Sequence, residues 1–233
     1  ENVGTKEDID IGARVGLRWP LGPFERMNTV GLSDAQERVQ TYAAAHNVAV
    51  PRALIAQGDT PFPLQQVSAA HQEGIATITI NRPDALNALS PSLVAELEGL
   101  FDAAVADPEV AGIVIRGAGK AFVAGADLKF FKDNLDRDNL DEIIAFTARG
   151  QALFQRIDDC KKRVVMLLDG LSLGGGSELA LCGDVIIATD RGTMGFPETG
   201  LGIYPGLGGT QRSARRCGVA PAQWMVLSGQ VIN

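Results

Sequence analysis

The sequence predicts an α/β fold preceded by a small helical segment, and three features carry this prediction. Short apolar stretches with strand periodicity recur along the later part of the chain, at 75–81, 112–117, 164–168 and 185–188. Stretches with helical periodicity lie between or after them, at 91–106, 142–157 and 177–182. Small-residue turns follow several of the strands. This repetition implies a domain wound from successive ββα units, with ligands bound at the turns.

The composition describes a globular chain with room for a sizeable core. It has 233 residues, of which 45% are hydrophobic, enough for one large domain or for one medium domain with an appendage. The longest apolar runs are too short to cross a bilayer, and residues 1–10 are too charged for a signal peptide. We therefore expect no membrane association and a cytoplasmic location.

Charge and metal-binding residue types exclude several classes of protein. The formal net charge of −7 argues against nucleic-acid binding, which needs a basic surface. Cys160, Cys182 and Cys217 are odd in number and widely spaced, so neither a disulfide framework nor a zinc site is expected. His46 and His71 lie too far apart to indicate a metal site. An anionic small ligand would have to be bound by local donors such as backbone N–H groups.

Residues 1–70 differ in character from residues 71–233, and we assign them to separate domains. Thr5 or Asp8 can cap a first helix, which the Trp19-Pro20 pair then ends. A second helix is predicted over 33–46, and the prolines and glycine between 51 and 63 indicate a linker. This segment is therefore predicted to be a helical hairpin with a tether. In the second domain, residues 130–140 are predicted to form a mobile surface loop.

Three motifs stand out in the first segment: KEDID at 6–10, GLRWPLGPFE at 16–25 and VGL at 30–32. They resemble the C-terminal helical domain of 3-hydroxyacyl-CoA dehydrogenases. The resemblance implies a fused dehydrogenase whose NAD-binding domain and catalytic His-Glu pair would lie before Glu1. Residues 1–70 would then bind no NAD, and this chain would oxidise nothing. The alternative is an unrelated helical appendage.

The densest glycine cluster lies in LSLGGGSELAL at 171–181, between a strand-like run and the first turn of a helix. Glycines leave backbone N–H groups uncovered, and the helix dipole points its positive end at the same place. This pattern indicates an anion site, and Glu178 can reach a ligand bound there. The alternative is a packing turn with a solvated glutamate.

Four further motifs accompany this cluster: NRPDALNAL at 81–89, AGAD at 124–127, FPE at 196–198 and GIYPGLGGTQR at 202–212. In combination they resemble the enoyl-CoA hydratase branch of the crotonase family, from about residue 75 to 233. The resemblance implies a crotonase-like spiral of ββα units. With the first segment, the chain resembles part of a fused 3-hydroxyacyl-CoA dehydrogenase and enoyl-CoA hydratase, an arrangement seen in archaea.

The resemblance assigns catalytic roles to particular residues. The backbone N–H groups of Ala126 and Gly175 would form an oxyanion hole for the thioester carbonyl. Glu178 matches the glutamate that activates water, and Glu198 matches the one that exchanges a proton at the α-carbon. Gly206 matches a glycine whose backbone helps to hold the catalytic water.

The resemblance also assigns residues that bind the acyl-CoA thioester, namely Ala85, Leu86, Ala124, Asp127, Leu128 and Lys129. The Ala85-Leu86 turn and Ala124 would hold the adenine end of CoA, and Lys129 would lie near its phosphates. Asp84 stands where many relatives have a basic residue, which leaves that phosphate contact open. No metal and no cofactor are expected, because CoA is part of the substrate and NAD belongs to the dehydrogenase domain.

The same resemblance implies a homo-oligomer, a trimer or a dimer of trimers, and a further C-terminal helical region beyond Asn233. Acyl chain length is left open. One alternative is a crotonase-fold isomerase, which typically keeps only the later carboxylate, so Glu178 counts against it. Another is a non-catalytic scaffold or RNA-binding relative. The helix at 91–106 counts against RNA, because it carries three acidic residues and no Lys or Arg.

Overall fold

The computed structural model describes residues 4–233 and divides the chain after Gln65, between a helical first unit and an α/β second unit. The sequence places this boundary near Ala70. The difference arises because a strand begins at Val67, before the boundary that the sequence predicts. Predictions about residues 1–3 lie outside the described residues.

The first unit contains four described helices: α1 (Lys6–Gly16), α2 (Pro23–Val30), α3 (Leu32–His46) and α4 (Arg52–Gln57). Thr5 caps α1 as predicted, since its hydroxyl accepts the Asp8 N–H at 3.0 Å while the Asp8 carboxylate accepts the Thr5 N–H at 3.2 Å. The linker prediction for 51–63 was wrong. That stretch contains α4, and Leu54 and Phe62 pack with Leu32 in a small core.

The second unit contains nine described strands: β1 (Val67–Gln72), β2 (Ile75–Ile80), β3 (Gly112–Gly117), β4 (Ala121–Ala124), β5 (Arg163–Leu168), β6 (Leu171–Leu173), β7 (Val185–Ala188), β8 (Thr193–Gly195) and β9 (Val231–Ile232). Its described helices are α5 (Pro91–Ala106), α6 (Leu128–Leu135), α7 (Leu140–Asp158), α8 (Gly175–Ala180), α9 (Gly209–Cys217) and α10 (Val219–Ser228).

Two sheets share these strands in alternation. The larger sheet has the order β1-β2-β3-β5-β7, with β1 antiparallel to β2 and the remaining neighbours parallel. The smaller sheet has the order β4-β6-β8-β9, parallel except for β8 and β9. Each pair β3-β4, β5-β6 and β7-β8 sends one strand to each sheet and is followed by a helix. The α/β prediction of ββα units is thereby confirmed.

Helix α5 shows how the core forms. Ser90 accepts the Leu93 N–H at 3.2 Å and Pro91 occupies the first turn, so the helix has a defined beginning. Leu93, Leu97 and Phe101 recur every four residues and are at most 1% exposed. This stripe faces β1 and β2, against which α5 packs. No helix among residues 4–233 is both long and apolar enough to cross a membrane.

The smaller sheet positions the functional segments. Ala124, Leu173 and Gly195 are register partners at the carboxyl ends of the parallel strands β4, β6 and β8. Parallel strands end at the same edge of a sheet, so the segments that follow them lie side by side. These segments carry the AGAD, GGGSE and FPE motifs.

The prediction of a mobile loop at 130–140 was wrong, because most of this stretch is helical in α6 and the start of α7. Asp127 caps α6 through the N–H groups of Lys129 and Phe130. On the exposed face of the helix, Lys129 pairs with Asp133 and Lys132 with Asp136, each pair joining residues one helical turn apart. Phe130 also packs on Phe146 of α7, with ring centroids 5.2 Å apart.

Candidate active site

The glycine turn between β6 and α8 has a geometry that requires glycine. Gly174 has φ +49° and ψ −121°, and its N–H donates to the Gly195 carbonyl at 2.9 Å. A Cβ on Gly176 would lie 1.8 Å from the Val123 carbonyl oxygen. The turn therefore packs α8 directly on the β4 backbone, and α8 begins at Gly175, earlier than the sequence predicts.

The backbones of Ala126 and Gly175 lie close together at this turn. Leu89 donates to the Gly125 carbonyl and accepts from the Asp127 N–H, both at 2.9 Å. Because Gly125 and Asp127 face Leu89, the N–H of Ala126 between them faces the opposite side. A Cβ built on Gly175 would lie 3.9 Å from the Ala126 nitrogen. The structure thus brings together the two groups that the resemblance assigns to an oxyanion hole.

Glu178 is buried in α8, with only 2% of its surface exposed, so it is not the solvated glutamate of the alternative interpretation. Its Oε1 accepts the N–H groups of Leu207 and Gly209, each at 2.7 Å. Burial is the main cause that raises the pKa of Glu178 to about 7, and the nearby Glu198 carboxylate raises it further. The two N–H donors and Arg212 act in the opposite direction and lower this pKa.

Glu198 lies in a 3₁₀ turn, Pro197–Leu201, and is 9% exposed. A Cβ on Gly174 would lie 2.8 Å from Glu198 Oε1, so this carboxylate sits against the glycine turn. Its Oε2 is buried and has no hydrogen-bond partner among the described residues. Burial raises the pKa of Glu198 above its ordinary value. An oxygen of this kind is available to a ligand.

The arrangement can perform acid–base chemistry beside a developing anion. Two carboxylates with raised pKa values flank one turn, and two N–H donors lie at its start. A carboxyl group whose pKa is near neutrality can accept or donate a proton at working pH. Fixed N–H dipoles stabilise negative charge that develops on a substrate oxygen.

The turn at Ala85 and Leu86 lies against the end of β4. Ala85 ends a 3₁₀ turn, and the Leu86 carbonyl accepts the Ala124 N–H at 3.0 Å. Leu86 has φ +50° and is 40% exposed, so this turn presents an apolar side chain to solvent. Asn87 ties this turn to the segment before and at the start of β4, because its buried side-chain amide donates to the Ala118 and Ala121 carbonyls at 2.9 and 2.8 Å.

The remaining predicted substrate-binding residues lie at the start of α6 and in the loop before α9. Asp127 binds Arg82 at 2.8 Å and caps α6, so its carboxylate is engaged by the protein itself. Burial would raise the pKa of Asp127, but Arg82 and the capping N–H groups outweigh burial and lower it. Leu128 is 63% exposed, and Lys129 pairs with Asp133. Gly206 accepts from the Gln151 side chain at 2.7 Å.

The sequence does not predict every group that contacts Glu178. Leu207 and Gly209 bind Glu178 through backbone N–H groups, which no side-chain pattern records. The nearest signal is the Gly208-Gly209 pair within the GIYPGLGGTQR motif. A Cβ on Gly209 would lie 2.7 Å from Glu178 Cγ, so the glycine is needed for this close approach.

Comparison with known proteins shows which family the second unit resembles. The family model described as enoyl-CoA hydratase/isomerase matches residues 70–233. The crotonyl-CoA hydratase of Syntrophomonas wolfei is 42% identical over 163 residues, which are 70% of this chain and 61% of that protein. The short-chain-enoyl-CoA hydratase of Clostridium acetobutylicum is 38% identical over 171 residues, with 73% and 64% covered. The chain thus spans somewhat over three fifths of these relatives.

Solved structures show the same fold. The enoyl-CoA hydratase from Bacillus anthracis superimposes with a TM-score of 0.67 at 32% identity, covering 72% of this chain and 64% of that chain. The enoyl-CoA hydratase from Thermoplasma volcanium gives 0.66 at 33% identity, with 72% and 66% covered. The chain belongs to the enoyl-CoA hydratase/isomerase family, and its second unit has the crotonase fold.

Proposed function

We propose that this chain hydrates trans-2-enoyl-CoA thioesters to 3-hydroxyacyl-CoA, as a step in fatty-acid β-oxidation or a related acyl-CoA pathway. The observation that carries this proposal is the pair of buried carboxylates, Glu198 against the turn that begins at Gly174 and Glu178 in the helix that follows this turn. The names of the similar proteins, crotonyl-CoA hydratase and short-chain-enoyl-CoA hydratase, support it.

The N–H groups of Ala126 and Gly175 bind the thioester carbonyl oxygen in this proposal. Addition of water to the conjugated double bond moves negative charge onto that oxygen, giving an enolate-like transition state. Two preorganised donors stabilise such charge, and removal of one comparable donor elsewhere costs roughly 3 to 4 kcal/mol. Neither donor has to reorganise during the reaction, because the bridge to Leu89 holds the Ala126 backbone and Gly175 begins α8.

The two glutamates divide the proton transfers. Glu178 accepts a proton from water as the water oxygen bonds to the β-carbon, and Glu198 gives a proton to the α-carbon as the double bond is lost. The pKa of about 7 leaves Glu178 substantially ionised at neutral pH, as a base requires. Burial raises the pKa of Glu198, so this carboxyl group holds a proton more readily than an exposed glutamate does. The reverse transfers regenerate the enoyl thioester.

The wider setting is part of the same proposal. Residues 1–70 correspond to the end of a dehydrogenase-like helical domain fused to the hydratase, and they bind no NAD. Contact between two of the resembling motifs supports this assignment, because Asp10 of the first accepts the N–H groups of Phe24 and Glu25 of the second at 2.7 and 2.9 Å. The protein acts in the cytoplasm as a trimer or a dimer of trimers, a state that light scattering on the purified protein measures.

Hydration of crotonyl-CoA tests the activity directly, as loss of the absorbance of the conjugated thioester. The expected result is saturable turnover that yields 3-hydroxybutyryl-CoA. Conversion of a trans-3-enoyl-CoA without hydration would identify an isomerase instead. Absence of both activities, together with RNA retention on a filter at physiological salt, would support the RNA-binding alternative.

A further inference from the structure

We infer that Arg212 is a positioning residue for the water-activating base, acting through the backbone segment 207–209 that binds Glu178. This inference rests on the proposed function for its kinetic consequences. Its structural content is independent of that function, because it concerns which groups hold the Glu178 carboxylate in place.

Arg212 is a buried cation on α9 with three different partners. It is 7% exposed, and its Nη1 donates to the Leu207 carbonyl at 2.9 Å. Its Nε binds Asp158 at 3.0 Å and its Nη2 donates to Gln155 at 3.3 Å, both on α7. A planar guanidinium is suited to three such contacts, whereas a single ammonium is not. Arg212 therefore ties the Leu207 peptide to α7.

The segment 207–209 lies between Arg212 and Glu178. Leu207 receives the guanidinium at its carbonyl and gives its N–H to Glu178. Gly208 has φ +103°, and a Cβ there would lie 2.3 Å from Arg212 Nη1. Gly209 gives the second N–H to Glu178. Because the segment 207–209 contacts both side chains, it has little freedom to move. We therefore expect that removal of the Arg212 guanidinium displaces the Leu207 and Gly209 N–H groups that bind Glu178.

Helix α7 supports the same segment at a second place. Gly150 is buried in the helix interior, where glycine costs about 1 kcal/mol relative to alanine. A Cβ there would lie 2.9 Å from Leu207 Cδ2, so the glycine lets Leu207 approach the helix. Gln151 also donates to the Gly206 carbonyl at 2.7 Å. These contacts make α7 the platform on which the Glu178-binding segment rests.

The charged groups near Glu178 determine how loss of Arg212 would change the pKa of this glutamate. Glu198 raises the pKa of Glu178, while Arg212 and the N–H groups of Leu207 and Gly209 lower it. The Cys182 thiol donates to the Glu178 carbonyl at 3.1 Å and is itself neutral, since burial raises its pKa to about 12. Loss of Arg212 removes its charge and loosens both donors, so the pKa of Glu178 should rise further.

The kinetic test compares Arg212→Gln with Arg216→Gln in hydration of crotonyl-CoA. Arg216 is one turn further along α9 and binds the Gly183 and Asp184 carbonyls, so it serves as a matched control. We expect kcat to fall on the order of 100-fold in Arg212→Gln with KM little changed, as for a misplaced catalytic group. Arg216→Gln should stay within about twofold of wild type. Equal losses in both variants would overturn the inference.

A double-mutant cycle separates positioning from general destabilisation. In a Glu178→Gln background there is no base to position, so Arg212→Gln should cost no more than about twofold in kcat. A loss as large as in the wild-type background would mean that Arg212 acts elsewhere. The conservative Arg212→Lys keeps the positive charge but loses the planar guanidinium that makes three contacts. Its kcat should therefore lie between those of Arg212→Gln and wild type.

A titration of Glu178 tests the inference even if the chain does not hydrate crotonyl-CoA. Carbon NMR of the labelled glutamate carboxyl groups, with the Glu178 signal assigned by Glu178→Gln, measures its pKa in each variant. We expect a higher pKa in Arg212→Gln and an unchanged one in Arg216→Gln. If Arg212→Gln does not fold, Arg212→Lys should still raise the pKa, by a smaller amount. An unchanged Glu178 pKa in every folded Arg212 variant would refute the inference.

Discussion

Glu178 combines two demands that conflict at a single residue. A base that acts near neutral pH needs a raised pKa, and burial supplies it. Burial also penalises the ionised carboxylate, and two backbone N–H donors offset only part of that penalty. The site is therefore expected to reduce the stability of the fold in exchange for reactivity, as active sites commonly do.

This cost can be measured as a pH dependence of stability. The pKa of Glu178 is about 7 in the folded chain against an ordinary value of 4.5, so between these values the folded state holds a proton that the unfolded state has lost. Stability from this group is complete below about pH 4.5 and declines as pH rises to 7. Glu178→Gln keeps both acceptor contacts without the charge, so it should be more stable than wild type at about pH 8, by up to about 3 kcal/mol.

Urea unfolding of both proteins at about pH 4.5 and pH 8 checks this expectation. The gain should be present at the higher pH and absent at the lower one. The exposed Glu109→Gln is the matched control and should follow wild type at both. A Glu178→Gln variant that is less stable at the higher pH would show that the buried charge is not the dominant cost.

Lys129 should contribute little to thioester binding, although the resemblance places it near the CoA phosphates. Its ammonium pairs with Asp133 on the exposed face of α6. Exposed ion pairs contribute up to about 1 kcal/mol, so Lys129→Ala should change the KM for crotonyl-CoA less than about fivefold. Gly175→Pro removes one of the two N–H donors and should abolish turnover. Loss of binding in Lys129→Ala with binding intact in Gly175→Pro would reverse these roles.

Helix α6 is an element that the local sequence does not predict. Its charged sequence predicts a loop, but Asp127 caps the helix and Phe130 packs on Phe146 of α7. The cap is a local signal that could have been recognised, because Asp before a helix is a common N-cap. The aromatic anchor depends on a residue sixteen positions later along the chain and has no local signature.

Removal of the cap should loosen α6. Asp127→Ala leaves the Lys129 and Phe130 N–H groups without their acceptor and Arg82 without its carboxylate partner, and it should cost roughly 1 to 2 kcal/mol. Asp127→Asn can still accept both N–H groups and should cost less. Thermal unfolding of the two variants distinguishes them. Equal losses would mean that Arg82, rather than the cap, is the partner that matters.

The predictable strands are those with long, alternating or β-branched patterns. Burial on the larger sheet imposes such patterns on β2, β3 and β5. Strand β7 is largely exposed, and its β-branched run Val185-Ile186-Ile187 is what predicts it. The strands β6 and β8 have three residues each, too few for any period to be seen. Only the first residue of β1 is buried, so this edge strand lacks alternation and the sequence does not predict it.

The candidate site was predictable to the extent that it depends on motifs. The glycine turn and both glutamates stand in recognisable sequence patterns, and the structure brings them together at one sheet edge. The backbone donors to Glu178 and the buried Arg212 were not predicted. The donors to Glu178, and the partners of Arg212 on α7, are about thirty or more positions away along the chain, so no local pattern predicts these contacts. The contact of Arg212 with Leu207 is the local exception.

The division of the whole molecule into two units raises a separate question about the first unit. Its dehydrogenase-like motifs carry no nucleotide site in the proposed function, so NAD should leave the melting temperature unchanged. A ligand stabilises a protein only if it binds the native state. Crotonyl-CoA, measured alongside, should raise the melting temperature and serves as the positive control. A saturable shift with NAD would contradict the assignment of residues 1–70.

The most direct measurement is hydration of crotonyl-CoA by Glu178→Gln, Glu198→Gln and the double variant, each compared with wild type. Each single change should lower kcat by about a hundred- to ten-thousand-fold with little effect on KM, because each removes one proton-transfer group and leaves the N–H donors in place. Both groups act on one addition of water, so the double change should cost much less than the product of the single losses. Near-wild-type turnover in Glu178→Gln, or fully multiplicative losses in the double variant, would contradict a hydratase that uses both carboxylates together.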